Sequence, residues 1–171
     1  MKTIKIILGF ITVLVVVFFA TGAFFKETNY TTQVVVNKPV EEVFKEFNNM
    51  NIKQKWIPEI ISIDTIQANY VKTGSIFKIV VDNKGEEFNM TEKVVTYVPN
   101  EKVTLYYDAE NMLKTNDYLF SEENGTTKIV LNASCSSESY IMSCLYPYFK
   151  GTFRNQDQGY LNNFKVFLEN K

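Results

Sequence analysis

Glu92 and Arg154 are the charged residues best placed for chemistry. Glu92 lies in a strand-like run between Met90 and Val94, which share its parity and should point inward. A carboxyl buried there would keep its proton to higher pH and could serve as acid or base. Arg154 is the only Arg and follows Phe153 in an amphipathic stretch. A planar guanidinium there could hold a ligand carboxylate. The alternatives are structural: a register shift turns Glu92 to solvent, or Arg154 simply lies on the surface.

The remaining inventory excludes more than it offers. There is no His, so the commonest general base and metal ligand is absent. A Ser or Cys nucleophile has no imidazole partner, and no Gly-rich phosphate loop is present. Cys135 and Cys144 are the only cysteines, too few for a metal set. No metal or cofactor is expected. The two thiols either close a short loop as a disulfide, if the domain is extracytoplasmic, or stay free. Trp56, the only Trp, either guards a pocket entrance or packs a short helix onto a sheet.

The chain divides into two parts. Ile6 to Phe25 contains no charged residue; its twenty residues span about 30 Å as a helix, the thickness of a bilayer core. Lys2 and Lys5 precede it, which places the N-terminus in the cytoplasm and the rest outside. A retained anchor is expected over residues 1–29, with a short polar linker from Glu27. The alternative is a signal segment cleaved near Thr21-Gly22-Ala23, giving a secreted domain. No Cys near the end of the run allows lipid attachment.

Residues 30–171 form one domain by length. They carry 15 basic and 18 acidic residues, a net charge of −3. That balance gives no basic face for nucleic acid. Thr31–Asn37 reads as a strand, and Pro39 with Glu41 and Glu42 opens a helix over Val40, Val43, Phe44 and Phe47. A second short helix leads to Trp56 and stops at Pro58. About six antiparallel strands follow, with hairpin turns at Asp82-Asn83-Lys84-Gly85 and Glu122-Glu123-Asn124-Gly125. Ser136–Ser139 then caps an apolar stripe about 30 residues long, in which Pro147 must kink the helix or mark its start.

This order resembles the helix-grip fold of the START-like superfamily, in particular its polyketide cyclase/dehydrase-type (SRPBCC) branch. The resemblance rests on Val34–Phe44 as opening strand, Pro turn and first helix. It also rests on Lys55-Trp56-Ile57-Pro58, on Val94–Val103 around Pro99, on Asn124–Ile129, and on Tyr160–Lys165 in the last helix. It implies an α+β fold: a curved antiparallel sheet of about seven strands wrapped on a long C-terminal helix, with two short helices after strand 1. It implies further a cavity between sheet and helix. Strand parity then nominates Phe77, Phe88, Met90, Glu92, Leu105, Tyr107, Tyr118, Phe120 and Leu131 as lining. Phe149, Phe153 and Tyr160 join from the helix, with Trp56 at the entrance.

The expected function is a membrane-tethered, non-catalytic domain that binds a lipid or other apolar small molecule, with the cavity mouth held near the bilayer. A cyclase/dehydratase-like enzyme using Glu92, Tyr107 or Arg154 is the first alternative. A ligand-free protein interaction module is the second.

Overall fold

The computed structural model describes residues 2–171. Helix α1 (Lys2–Phe24) is followed by β1 (Thr28–Val36), α2 (Val40–Phe47) and a 3-10 turn (Met50–Lys55). Six strands come next: β2 (Ile60–Gln67), β3 (Ile76–Asn83), β4 (Glu86–Val98), β5 (Lys102–Ala109), β6 (Met112–Glu123) and β7 (Thr126–Ser136). Helix α3 (Tyr140–Glu169) closes the chain. All seven strands form one antiparallel sheet in the order β1-β7-β6-β5-β4-β3-β2. This is the helix-grip architecture expected from the sequence.

Local chemistry explains each element. Along β1 every second residue from Thr28 to Val36 is buried, as a half-buried strand requires. The strand starts three residues earlier than the β-branched run suggested, and it absorbs most of the expected linker. In α2, Val43, Phe44 and Phe47 are buried while Glu41 and Glu42 occupy the first turn, where the helix dipole favours them. Two hairpins use two-residue loops with left-handed backbone at both positions, Lys84-Gly85 and Asn124-Gly125. This geometry matches the natural twist of paired strands.

Helix α3 runs without a break through Pro147. Pro147 therefore does not mark the helix start; its missing N–H leaves the Ser143 carbonyl without its usual helical partner. The serine cluster caps indirectly. Ser137 Oγ accepts from the Ser139 N–H, and Ser143 Oγ donates back to the Ser137 carbonyl.

The core sits between the sheet and the C-terminal half of α3. Phe47 is its hub, with ring centroids 5.2 Å from Trp56, 4.7 Å from Tyr118, 5.3 Å from Phe120 and 5.2 Å from Phe164. Most of these contacts are edge-on, the arrangement that ring quadrupoles favour. A smaller cluster of Ile60, Ile79 and Val81 lies under the far edge of the sheet.

Candidate functional site

A cavity of about 730 Å³ opens between α2, the 3-10 turn and the ends of β2, β3 and β4. Its walls include Phe44, Phe47, Phe77, Val94, Tyr97 and Leu105. Strand parity delivers the β residues: Phe77 pairs with Glu92 and Val94 with Leu105 across adjacent strands. Phe44 and Phe47 come from the buried face of α2.

Five charged residues share this lining; Glu41, Lys45 and Lys72 are exposed at its rim, and only Lys53 and Glu92 are buried. These two form an ion pair in which both side chains are almost fully buried. The 3-10 turn brings Lys53 over the sheet, and Glu92 rises from β4 to meet it. Each buried ion loses several kcal/mol of hydration, so the pair persists only because each neutralises the other. Tyr107 pairs with Glu92 in register, and Lys53 Nζ lies 5.8 Å from its ring centroid. Burial, then the charge of Glu92, pushes the Tyr107 phenol well above its ordinary pKa.

The same row continues across the sheet. Tyr107 pairs with Lys114, Lys114 with Cys135, and Cys135 with Thr28. Lys114 Nζ donates to Asp157 Oδ1 at 2.7 Å, and Tyr30 Oη donates to Asp157 Oδ2 at 2.8 Å. Burial and the Asp157 charge raise the Tyr30 phenol, and burial raises the Cys135 thiol. A polar band therefore crosses an otherwise apolar concave face.

The structure distributes the expected lining residues among several environments. Phe77, Glu92 and Leu105 line the cavity. Trp56, Tyr118, Phe120 and Leu131 are buried in the core, and Trp56 packs between Phe47 and Phe164. Phe88 and Met90 pack on the small cluster; Tyr107, Phe153 and Tyr160 lie against the main core, partly buried. Phe149 is 48% exposed, on a flank of α3 beside Tyr146 and Phe153, which face the core. Arg154 is exposed as well and lines a shallow surface groove with Lys150; it does not reach the cavity. Glu92 is turned inward. Cys135 and Cys144 are free and buried, so no disulfide closes the loop between them.

Sequence reasoning missed Lys53, Lys114 and Asp157. Two of them carried a signal. Asp157 occupies the apolar stripe of α3, four residues from Phe153 and from Leu161. Lys114 shares the inward parity of Tyr118 and Phe120. Lys53 carried none, since its short 3-10 turn has no periodicity to read. Among the described residues no group of Cys, Asp and Glu side chains could hold a metal ion.

The cavity lies across the sheet from β1, the strand that follows α1. Thr28, next to α1, lies on the row Cys135-Lys114-Tyr107-Glu92-Phe77. The cavity's strand residues lie on that row or beyond it, toward the Pro99-Asn100 turn.

No protein-family model and no curated protein matches the chain in sequence. Solved structures do match its fold. Ara h 8.0201 aligns with a TM-score of 0.68 at 13% identity, over 85% of this chain and 99% of its own. The Zhui aromatase/cyclase from Streptomyces sp. R1128 gives 0.68 at 12% identity, over 84% and 94%. TTHA0849 from Thermus thermophilus gives 0.66 at 11% identity, over 82% and 96%. At these identities the likeness is one of fold.

Proposed function

We infer that the chain is a membrane-tethered domain that binds an apolar small molecule or lipid, without catalysis, in the cavity beneath α2. The observation that carries this reading is the cavity of about 730 Å³ with its aromatic and aliphatic walls. Pockets of a few hundred Å³ with apolar walls and few polar groups suit such ligands. A ligand burying about 300 Å² of apolar surface there gains roughly 7 kcal/mol before its ordering is counted. Helix α1, with a mean hydropathy of 2.7 over its best window, supplies the tether. The buried Lys53–Glu92 pair gives the cavity a polar point among its apolar walls, against which an amphipathic ligand can orient.

The test is native mass spectrometry of the full chain released from detergent. A retained lipid or apolar metabolite is expected, and Leu105→Trp, which fills the cavity, should lose it. Native protein that is always empty and binds nothing from a lipid panel would overturn the reading.

One observation favours a second reading. Glu92 and Tyr107 are neighbours beside the cavity, as an acid-base enzyme acting on an apolar substrate would need. Its test is whether Glu92→Gln abolishes turnover of a bound ligand while leaving binding intact.

A further inference from the structure

The end of α1 packs across the start of α3. Phe19 stacks on Tyr140 at 6.2 Å, and Phe18 on Tyr148 at 6.5 Å. Tyr140 Oη donates to the Phe19 carbonyl at 2.6 Å, and Thr21 Oγ1 and Tyr148 Oη share a hydrogen bond of 2.9 Å. Gly22 permits this approach: a Cβ there would stand 2.4 Å from Cys144 Sγ.

The pattern of contacts gives the crossing angle. Phe19 and Gly22 meet Tyr140 and Cys144, while Phe18 and Thr21 meet Tyr148. Two turns along α3 thus correspond to a step around α1, with no climb along it. The helices cross at a wide angle. If α1 stands along the bilayer normal, the start of α3 lies in the membrane plane.

Depth agrees with this placement. Phe18 and Gly22 lie about 10 and 5 Å inside the end of the uncharged run at Phe25, at ~1.5 Å per residue. Interfacial amphipathic helices sink their apolar face to about 5–10 Å.

The faces of α3 agree as well. Tyr140, Cys144 and Tyr148 face α1. Tyr146 joins the core, with Met142 and Phe153 packed against it. That leaves two flanks, one toward each end of α1. On one lie Ile141, Leu145 and Phe149, with Ile141 57% and Phe149 48% exposed. On the other lie Lys150 and Arg154, both exposed.

We propose that the first three turns of α3 form an interfacial membrane helix, resting on the outer surface of the bilayer that α1 spans. Ile141, Leu145 and Phe149 enter the acyl boundary, and Lys150 and Arg154 meet lipid phosphates. This rests on the reading of α1 as a retained span. It sets the domain in one orientation on the membrane.

The test uses the full chain in vesicles of phosphatidylcholine and phosphatidylglycerol. An environment-sensitive fluorophore is placed at Ile141→Cys or Phe149→Cys, with Leu14→Cys as lipid reference and Asn124→Cys as water reference. The native chain, whose thiols are buried, is the labelling blank. Blue-shifted emission and quenching by spin-labelled lipid are expected at 141 and 149. Water-like emission there, with Leu14 quenched, overturns the proposal and spares the span. An unquenched Leu14 overturns both. A lipid-soluble carbene reagent on the native chain should independently mark the peptide containing Ile141 and Phe149; its absence from that peptide counts against the proposal.

Discussion

Lys53 and Glu92 lie 39 residues apart in sequence and meet with neither charge open to water. Removing one partner strands the other. Lys53→Met is expected to destabilise the fold by about 3–5 kcal/mol, and Lys53→Met with Glu92→Leu to recover much of the loss. Denaturant titration of the two single variants and the double variant measures the coupling. Additive losses would mean that the ions do not stabilise each other.

Alkaline pH should unfold the protein. Burial raises the phenols of Tyr30, Tyr107 and Tyr118 above the ordinary value of 10.0. Folded, they stay protonated; unfolded, they ionise from about pH 10. Their contribution is complete below that pH and is lost as pH rises toward the folded values, at about 1.4 kcal/mol per unit for each phenol. The melting temperature should fall steeply above pH 10, and Tyr107→Phe should soften the slope. A flat profile would show that these phenols are hydrated in the native state.

Gly22→Val should pry α1 from α3, since even its Cβ collides with Cys144 Sγ. Cys144 should then react faster with maleimide in the folded protein, while Cys135, held against Tyr30 at 3.9 Å, stays protected. Equal protection of both thiols in the variant would count against the helix contact.

Both cysteines should be unpaired thiols. Thiol assay in denaturant without reductant is expected to find Cys135 and Cys144 unpaired, and mobility should be the same with and without reductant. A protein that gains thiols only after reduction would contradict the structure.

Much of the fold was legible because alternation and helical spacing report burial directly. β1, α2, the Gly hairpins and the stripe of α3 all followed. The cavity was less legible. Parity told which face Tyr118, Phe120 and Leu131 occupy but not whether space or another ring stands opposite them. That depends on Phe47, Trp56 and Phe164, which arrive from three separate elements and fill the volume. Parity also placed Glu92 inward. It could not supply Lys53, whose position comes from a turn without periodicity. Phe149 followed the stripe correctly as a helical residue, yet it lies on its margin, where Tyr146 and Phe153 take the core-facing positions.

The contact between Gly22 and Cys144 also bears on processing. A peptidase cutting near Ala23 would need that segment extended, yet here it is helical, and the Phe19 carbonyl within it receives hydrogen bonds from Tyr140 and Cys144 of α3. Cleavage would strip Phe18 and Phe19 from Tyr148 and Tyr140 and leave an aromatic scar beside the cut. The shed domain would not be an indifferent soluble product. It would carry an adhesive surface where its anchor had been.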